Sequence, residues 1–322
     1  MFGKWIRQLL WRPFELMCRQ FPLVPLRSTI TQLNEAVILI RIDNAITRAI
    51  TTIGGGYDYS VSYLVDDSLL VDTGFPWARR RLRKTLMELG AHRTLSTVVN
   101  THYHEDHIGN NDLLSELCDV KIYAHPQAIA EIRHPPELPW YRHFMFGPIT
   151  PSEVHVIPDR IKTNHFNFKV HHLPGHSPDH ICLFEPEQGW LFSGDLYIAA
   201  EVDTQLKDVD GPAWVASLEK AIAFRPECLF DAHGVVVVGE DKVRALLSRK
   251  LDFLTKLRFR IEESAKEARS LREVTQLVFK KTSIVDSLSF NDGWLSLLTC
   301  SDFSRSNLVR SFLKYQSTLS AH

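Results

Sequence analysis

The sequence has few cysteines, and their spacing gives them no evident structural role. Its five cysteines are Cys18, Cys118, Cys182, Cys228 and Cys300, and no two of them form a C-x-x-C pair. Disulfide-stapled domains and zinc fingers both need cysteines in recurring, closely spaced sets, so neither class is indicated. The pattern favours a reducing, cytoplasmic setting.

Long apolar runs and an excess of one charge are also missing. No stretch approaches the ~20 consecutive apolar residues that cross a bilayer. The 37 Lys and Arg residues balance 38 Asp and Glu residues, for a net charge of −1. Such a chain has no overall attraction to nucleic acid or anionic lipid. With 322 residues, 44% of them hydrophobic, it suits one large globular domain and an appendage.

The first residues show the pattern of a basic amphipathic helix. Apolar residues recur at helical spacing from Phe2 to Met17, basic residues lie among them, and Pro13 interrupts the pattern. We therefore predict an amphipathic N-terminal extension over residues 1–30. Packing on the domain, a homodimer contact and peripheral membrane attachment all remain open for it.

Strand and helix patterns alternate through the middle of the chain. The turn residues Asp66 and Asp67 lie between two apolar runs, which predicts a hairpin. A helical pattern over residues 77–89 then precedes a short strand at 98–99. This order predicts an α/β fold with helices outside the sheets. Further strands are predicted at 37–42, 121–124, 168–172, 181–184 and 190–193, and further helices at 127–133 and 213–224.

The later segments differ in character. Residues 133–151 are rich in proline and aromatic residues, and we expect no regular element there but a loop beside a substrate pocket. A long helix is predicted over 240–261, and a capping box at Ser270 and Glu273 starts another. We expect a catalytic domain over residues 31–240 and a C-terminal helical region over 241–322.

Four metal-ligand residue types fall within six positions directly after the strand at 98–99. They are His102, His104, Asp106 and His107. Zinc prefers imidazole and carboxylate donors in tetrahedral sets, and a catalytic zinc keeps one position for water. Four clustered donors therefore cannot all serve one open site.

Three further strand ends deliver single ligand types. They place His176 after a Pro-Gly turn, Asp195 after Ser-Gly, and His233 before a glycine. Closed structural zinc sites favour cysteine, and none belongs to this set. The pattern therefore favours a catalytic metal centre.

The His-x-His-x-Asp-His motif followed by separate His, Asp and His residues resembles the metallo-beta-lactamase superfamily. Residues 71–74 (Val-Asp-Thr-Gly), 174–176 and 193–195 add to this resemblance, which covers roughly residues 36–240. It implies a four-layer αββα sandwich. It further implies two zinc ions per chain. The first would be held by His102, His104 and His176, and the second by Asp106, His107 and His233. Asp195 would bridge the two ions, and Asp72 would orient a ligand.

The resemblance implies a hydrolase in which a zinc-bridging hydroxide attacks an ester-like bond of a small-molecule substrate, such as a thioester or lactone. Asp106 is expected to accept or return a proton, and Tyr197 is a candidate donor to the oxyanion. A packed aromatic is an equal alternative for Tyr197.

Two rival activities remain. Residues 307–313 resemble the C-terminal helical region of beta-lactamase-like endoribonucleases, and the basic residues Arg79 to Lys84 would then contact RNA phosphates, although a solvated helix face is the stronger interpretation. The second rival is a mono-iron sulfur dioxygenase, which would not use His107 and His233 as ligands.

Overall fold

The computed structural model describes residues 26–44, 59–279, 299 and 301–313. The chain divides into two compact units, one of residues 1–167 and 232–234, the other of residues 168–231 and 235–322. The predicted N-terminal helix lies outside the described residues, so it stays a prediction together with its dimer or membrane role. The domain boundaries drawn from the sequence also remain predictions.

A seven-stranded sheet organises the first unit, and its strands follow chain order. The first four strands pair antiparallel, whereas β4 to β7 pair parallel. Asp66 and Asp67 connect β3 to β4 with φ angles of 51° and 53°, which confirms the predicted hairpin. The strands are β1 (Leu26–Gln32), β2 (Val37–Asn44), β3 (Tyr59–Val65), β4 (Leu69–Val71), β5 (Thr97–Val99), β6 (Lys121–Ala124) and β7 (His155–Val156), and β8 (Arg160–Lys162) follows them in the chain.

Helices of this unit bury apolar residues against its core. Leu82 and Leu86 of α1 join a buried cluster with Val98 of β5 and Ile122 of β6. Leu82 and Leu86 are four residues apart and therefore lie on the same face of the helix, which is the face that packs against the core. The helices are α1 (Arg79–Glu88), α2 (Glu105–Ile108), α3 (Asn111–Leu117), α4 (Ile129–Arg133) and α5 (Trp140–Phe146).

Helix α5 corrects one expectation, because residues 133–151 were predicted to contain no regular element. The seven residues of α5 include no proline or glycine. Pro139 precedes the helix, and Gly147 ends it with a φ of 95°. The prolines at the start of the segment indicated an irregular loop, but a short helix lies between Pro139 and Gly147.

The second unit combines a mixed sheet with long helices. Its strands lie in the order β13-β12-β11-β10-β9, and only β11 and β12 pair parallel. Ser270 Oγ accepts a hydrogen bond from Glu273 N at 3.2 Å, as the capping box predicts. The elements are β9 (Asn167–His172), β10 (Ile181–Glu185), β11 (Trp190–Gly194), β12 (Cys228–Asp231), β13 (Val236–Val238), α6 (Gly211–Ala223), α7 (Glu240–Glu267), α8 (Leu271–Val278) and α9 (Arg305–Leu313).

These elements confirm the α/β class and, in the parts described, the helical C-terminal region.

Among residues 26–44, 59–279 and 301–313, no helix combines the length and apolarity that a membrane span requires.

Candidate metal centre

The chain segment after β5 carries four of the predicted ligands. His104 directly precedes α2, so Asp106 and His107 lie in a helix of only four residues. Thr73 N donates to His107 O at 2.7 Å and ties this helix to the segment after β4. The predicted ligands therefore lie in a tight turn at a strand end.

The three histidine rings of this segment pack against one another. The ring centroid of His102 lies 4.5 Å from that of His104 and 3.9 Å from that of His107. His102 Nε2 and His104 Nδ1 are 2.9 Å apart. All three side chains are buried. Ring nitrogens gathered in this way form a donor set that a borderline divalent metal ion would accept.

His233, far away in the sequence, joins Asp106 and His107. These three residues offer ligand atoms that all lie within 4.8 Å of one another. Asp106 Oδ2 is 3.6 Å from His107 Nε2. Tyr59 Oη donates to His233 O at 2.5 Å and fixes the backbone that carries this imidazole. The first unit thus contains a set of two imidazoles and one carboxylate.

Asp72 fixes the orientation of His107. Its Oδ2 lies 2.9 Å from His107 Nδ1, and its carboxylate also accepts hydrogen bonds from Thr101 N at 2.7 Å and Thr101 Oγ1 at 2.8 Å. Because an ionised carboxylate only accepts, His107 carries its proton on Nδ1, and Nε2 has the lone pair that a metal needs. These contacts support the orienting role that the resemblance implies for Asp72.

The other two predicted ligands lie together in the second unit. His176 Nε2 is 3.4 Å from Asp195 Oδ2, and both side chains are buried. Gly175 has a φ of 144°, and a Cβ there would lie 2.3 Å from Trp214 Cα. Only glycine therefore permits this close approach to α6. The ring of Trp214 packs edge-on against His176, with centroids 5.7 Å apart.

His180 holds the backbone of Asp195. Asp195 N donates to His180 Nε2 at 2.9 Å, and His180 Nδ1 lies 3.0 Å from Leu173 O. The two contacts are satisfied together by the tautomer with its proton on Nδ1, which donates to Leu173 O. His180 is fully buried, and its hydrogen bond holds the backbone of a predicted ligand.

Residues 195–199, which we call the Asp195 loop, are fixed by buried groups from three elements. Ile198 has a φ of 56°, a conformation that is costly for a β-branched side chain. The surrounding contacts must hold it there. They are Trp214 Nε1 to Leu196 O at 2.7 Å, Ile198 N to Asp231 Oδ2 at 2.9 Å, and Lys250 Nζ to Ala199 O at 2.9 Å.

Tyr197 lies within this loop and is buried. Burial raises the pKa of Tyr197, and the negative charge of Asp231 raises it further. The phenol therefore keeps its proton at neutral pH, as a hydrogen-bond donor must. Its catalytic role stays a prediction.

The predicted ligands thus fall into a group of five in the first unit and a pair in the second. The donors are imidazole nitrogens and carboxylate oxygens, a mixture that suits zinc and similar ions. All of them except Asp106 are buried. The donor chemistry therefore fits a metal. The groups are His102, His104, Asp106, His107 and His233, and then His176 and Asp195.

The sequence matches the model of a known protein family. The sequence model of the metallo-beta-lactamase superfamily matches residues 55–233, which is more than half of the chain. The chain belongs to the metallo-beta-lactamase superfamily. This membership confirms the resemblance that the His-x-His-x-Asp-His motif carries, and with it the sandwich fold that was predicted.

Curated relatives share modest identity with the chain. A probable metallo-hydrolase, YflN of Bacillus subtilis (strain 168), is 25% identical over an alignment of 204 positions that covers 54% of this chain and 77% of that protein. The hydroxyacylglutathione hydrolase of Legionella pneumophila (strain Lens) is 31% identical over 109 residues, 33% of this chain and 35% of that enzyme. The match to the latter thus spans about a third of each protein.

Solved structures show the same fold. A metallo-beta-lactamase family protein from Thermus thermophilus aligns with a TM-score of 0.56 at 16% identity, covering 92% of this chain and 94% of that one. The metallo-beta-lactamase FIM-1 from Pseudomonas aeruginosa, in its mono-zinc form, aligns with a TM-score of 0.53 at 21% identity, covering 71% and 95%. At these identities the likeness concerns the fold alone.

Several residues beside the ligands were not singled out from the sequence, among them Lys250 and Trp214. The sequence does mark Lys250 as unusual, because it lies three residues after Leu247 and four before Leu254 on the apolar stripe of α7. A charged residue on a buried stripe indicates a special role. Trp214 carries no such signal, since a tryptophan on a buried helix face is ordinary core.

Proposed function

We propose that this protein is a metal-dependent hydrolase that cleaves an ester-like acyl bond, in a thioester, a lactone or a related compound, with two zinc ions. The main support is the set of Asp106, His107 and His233, whose ligand atoms lie within 4.8 Å of one another. In this proposal His102, His104 and His176 would hold the first zinc, Asp106, His107 and His233 would hold the second, and Asp195 would serve both.

Zinc, when bound, lowers the pKa of water toward neutrality and polarises the substrate oxygen. The remaining steps belong to the chain's own residues. Asp106, which is half-buried, accepts or returns a proton. Asp72 keeps His107 in the metal-binding tautomer. Tyr197 donates a hydrogen bond to the developing oxyanion.

A thioester is the first substrate class to test. The chain is similar to hydroxyacylglutathione hydrolases, and although the similarity spans only about a third of each protein, it lies within this superfamily. A balanced net charge and the absence of a recognisable nucleic-acid module also favour a small acyl substrate. A cytoplasmic location is part of the proposal, on the basis of the cysteine pattern.

The ribonuclease alternative is weakened by the contacts of the basic helix α1. Arg79 pairs with Asp112 at 2.7 Å and Glu116 at 2.6 Å, and Lys84 lies 3.5 Å from Glu88. These ion pairs offset part of the positive charge of the helix, so it offers phosphates less charge than its sequence suggests. In α9, five of nine residues are buried, so this helix serves packing.

The test combines metal analysis with substrate trials. Protein purified without added metal is analysed by plasma mass spectrometry and offered thioester, lactone, phosphodiester and RNA substrates. We expect two zinc ions per chain and acyl turnover. Two zinc ions with RNA cleavage alone would establish the nuclease, and one iron per chain would point to the dioxygenase.

Variants add a direct check of the ligand set. Asp195→Ala should lose metal and activity together, Tyr197→Phe should cost far less, and Asp119→Ala, at an exposed carboxylate, is the matched control. Full activity in Asp195→Ala would contradict the proposed centre.

A further inference from the structure

Lys250 is a buried charged residue for which the proposed chemistry has no use. It lies on α7 with none of its surface exposed. Burial lowers the pKa of Lys250 to about 7, while the charges of Asp231 and Asp195 raise it. An amine in such a place costs free energy unless the surroundings compensate it. Its position on an otherwise apolar stripe therefore calls for an explanation beyond packing.

The contacts of Lys250 lead to the metal ligands of the second unit by two routes. Its Nζ donates to Ala199 O at 2.9 Å, at the end of the Asp195 loop. The same Nζ lies 4.3 Å from the ring centroid of Trp214. Trp214 in turn packs against His176 and donates to Leu196 O, the carbonyl directly after Asp195.

We propose that Lys250 is a positioning residue, which holds Asp195 through the backbone of the Asp195 loop and His176 through Trp214. This inference rests on the proposed metal centre. Helix α7 begins at Glu240, beyond residues 55–233 that match the superfamily. The C-terminal helical region would therefore be part of the functional site and not only an appendage.

The conformation of Ile198 explains why such a contact matters. With a φ of 56°, Ile198 lies between Leu196 and Ala199, and the carbonyls of both residues accept side-chain hydrogen bonds from Trp214 and Lys250. A β-branched residue leaves this conformation when its restraints are removed. Loss of the Lys250 contact would let the loop relax and displace the Asp195 carboxylate.

The test measures zinc affinity in Lys250→Met, whose unbranched side chain is one bond shorter than that of lysine and carries neither a hydrogen-bond donor nor a charge. Metal-depleted full-length protein competes for zinc with a chromophoric chelator, and circular dichroism verifies the fold. We expect binding about tenfold weaker than in the wild type, in the range typical of groups that orient metal ligands. Lys256→Met, at an exposed position of the same helix, should bind as the wild type does.

The sign of the change separates positioning from charge. Removing a cation near two carboxylates would by charge alone strengthen zinc binding. Weaker binding in a folded variant therefore identifies lost positioning, whereas unchanged or tighter binding would overturn the inference. If the methionine variant does not fold, Lys250→Leu, which also lacks the donor and the charge, is judged by the same two results. Absence of zinc binding in the wild type would instead contradict the proposed function.

Discussion

At the scale of single residues, the candidate site depends on side chains that fix the tautomers and backbones of its ligands. Asp72 sets the protonated nitrogen of His107, and His180 receives the backbone N–H of Asp195. The tautomers of His107 and His180 follow from these hydrogen bonds alone, because the bonds decide which ring nitrogen is the donor.

Replacing Asp72 with asparagine tests the first of these roles. Asparagine tolerates the φ of 60° found at this position, so the backbone should persist. The amide lacks the charge that stabilises the Nδ1–H donor of His107, and we expect zinc affinity to fall about 10- to 100-fold. Chelator competition measures the change. The control is Asp67→Asn, at an exposed turn residue with a φ of 53°, and an equal loss in both variants would contradict the orienting role.

Lys250 makes a separate prediction about pH. Its pKa is lowered to about 7 in the folded chain from an ordinary value of 10.5. Between these pH values the unfolded chain binds more protons, so the stability of the metal-free protein rises with pH across this range and is lost as pH falls toward 7. Urea unfolding at several pH values should show the rise in the wild type and a flatter profile in Lys250→Met. If stability rose equally steeply with pH in the wild type and in Lys250→Met, groups other than Lys250 would be responsible for the rise.

The residues of the site differ in how far the sequence reveals them. The candidate ligands stand out in the sequence because each follows a strand end in a short recognisable motif such as His102 to His107. Lys250 and Trp214 could not be assigned a role, because their function depends on contacts with distant parts of the chain. Lys250, for example, meets the carbonyl of Ala199, which lies 51 positions earlier. Periodicity places such residues on a buried face but does not say which group they meet there.

At the scale of elements, helix α5 is tied to the ligand-bearing segment by a buried ion pair. Arg142 Nε donates to Glu105 Oε1 at 2.6 Å, and Arg142 Nη2 contacts Glu105 Oε2. Burial alone would raise the pKa of Glu105, but the charge and hydrogen bonds of Arg142 outweigh burial and lower it. Glu105 lies between His104 and Asp106, so this ion pair anchors the backbone that carries the proposed ligands.

Removal of the arginine should destabilise the fold strongly. Arg142→Met leaves Glu105 as an uncompensated buried charge, which costs about 3–5 kcal/mol of the free energy of unfolding. Urea denaturation measures this, and Glu105→Gln added to the same chain should restore part of the loss. Arg133→Met breaks an exposed pair with Glu153 and should cost no more than about 1 kcal/mol. Equal costs for the two arginine variants would show that the buried pair is not special.

Elements with strong periodicity were predictable, and short irregular ones were not. The hairpin at Asp66 and the apolar stripe of α7 follow directly from residue pattern. Helix α5 has only seven residues, follows a proline-rich stretch and is held by the Arg142 pair, so local propensity alone does not define it. Tertiary contact decides such a segment.

At the scale of the whole molecule, the proposed centre draws ligands from four separate stretches of chain, around positions 102–107, 176, 195 and 233. An ion that needs all of them binds the folded chain and not the unfolded one. Zinc should therefore stabilise the protein by mass action, by about 2.7 kcal/mol when its free concentration is about 100 times the dissociation constant.

Urea unfolding of chelator-treated protein, with and without added zinc, tests this coupling. The seven tryptophans provide a fluorescence signal, and circular dichroism provides a second one. We expect zinc to move the midpoint upward in the wild type and in Asp119→Ala, and to move it far less in Asp195→Ala, because only the last variant lacks a proposed ligand. A midpoint that zinc leaves unchanged in the wild type would mean that these side chains do not close on a metal, whatever their proximity within each unit.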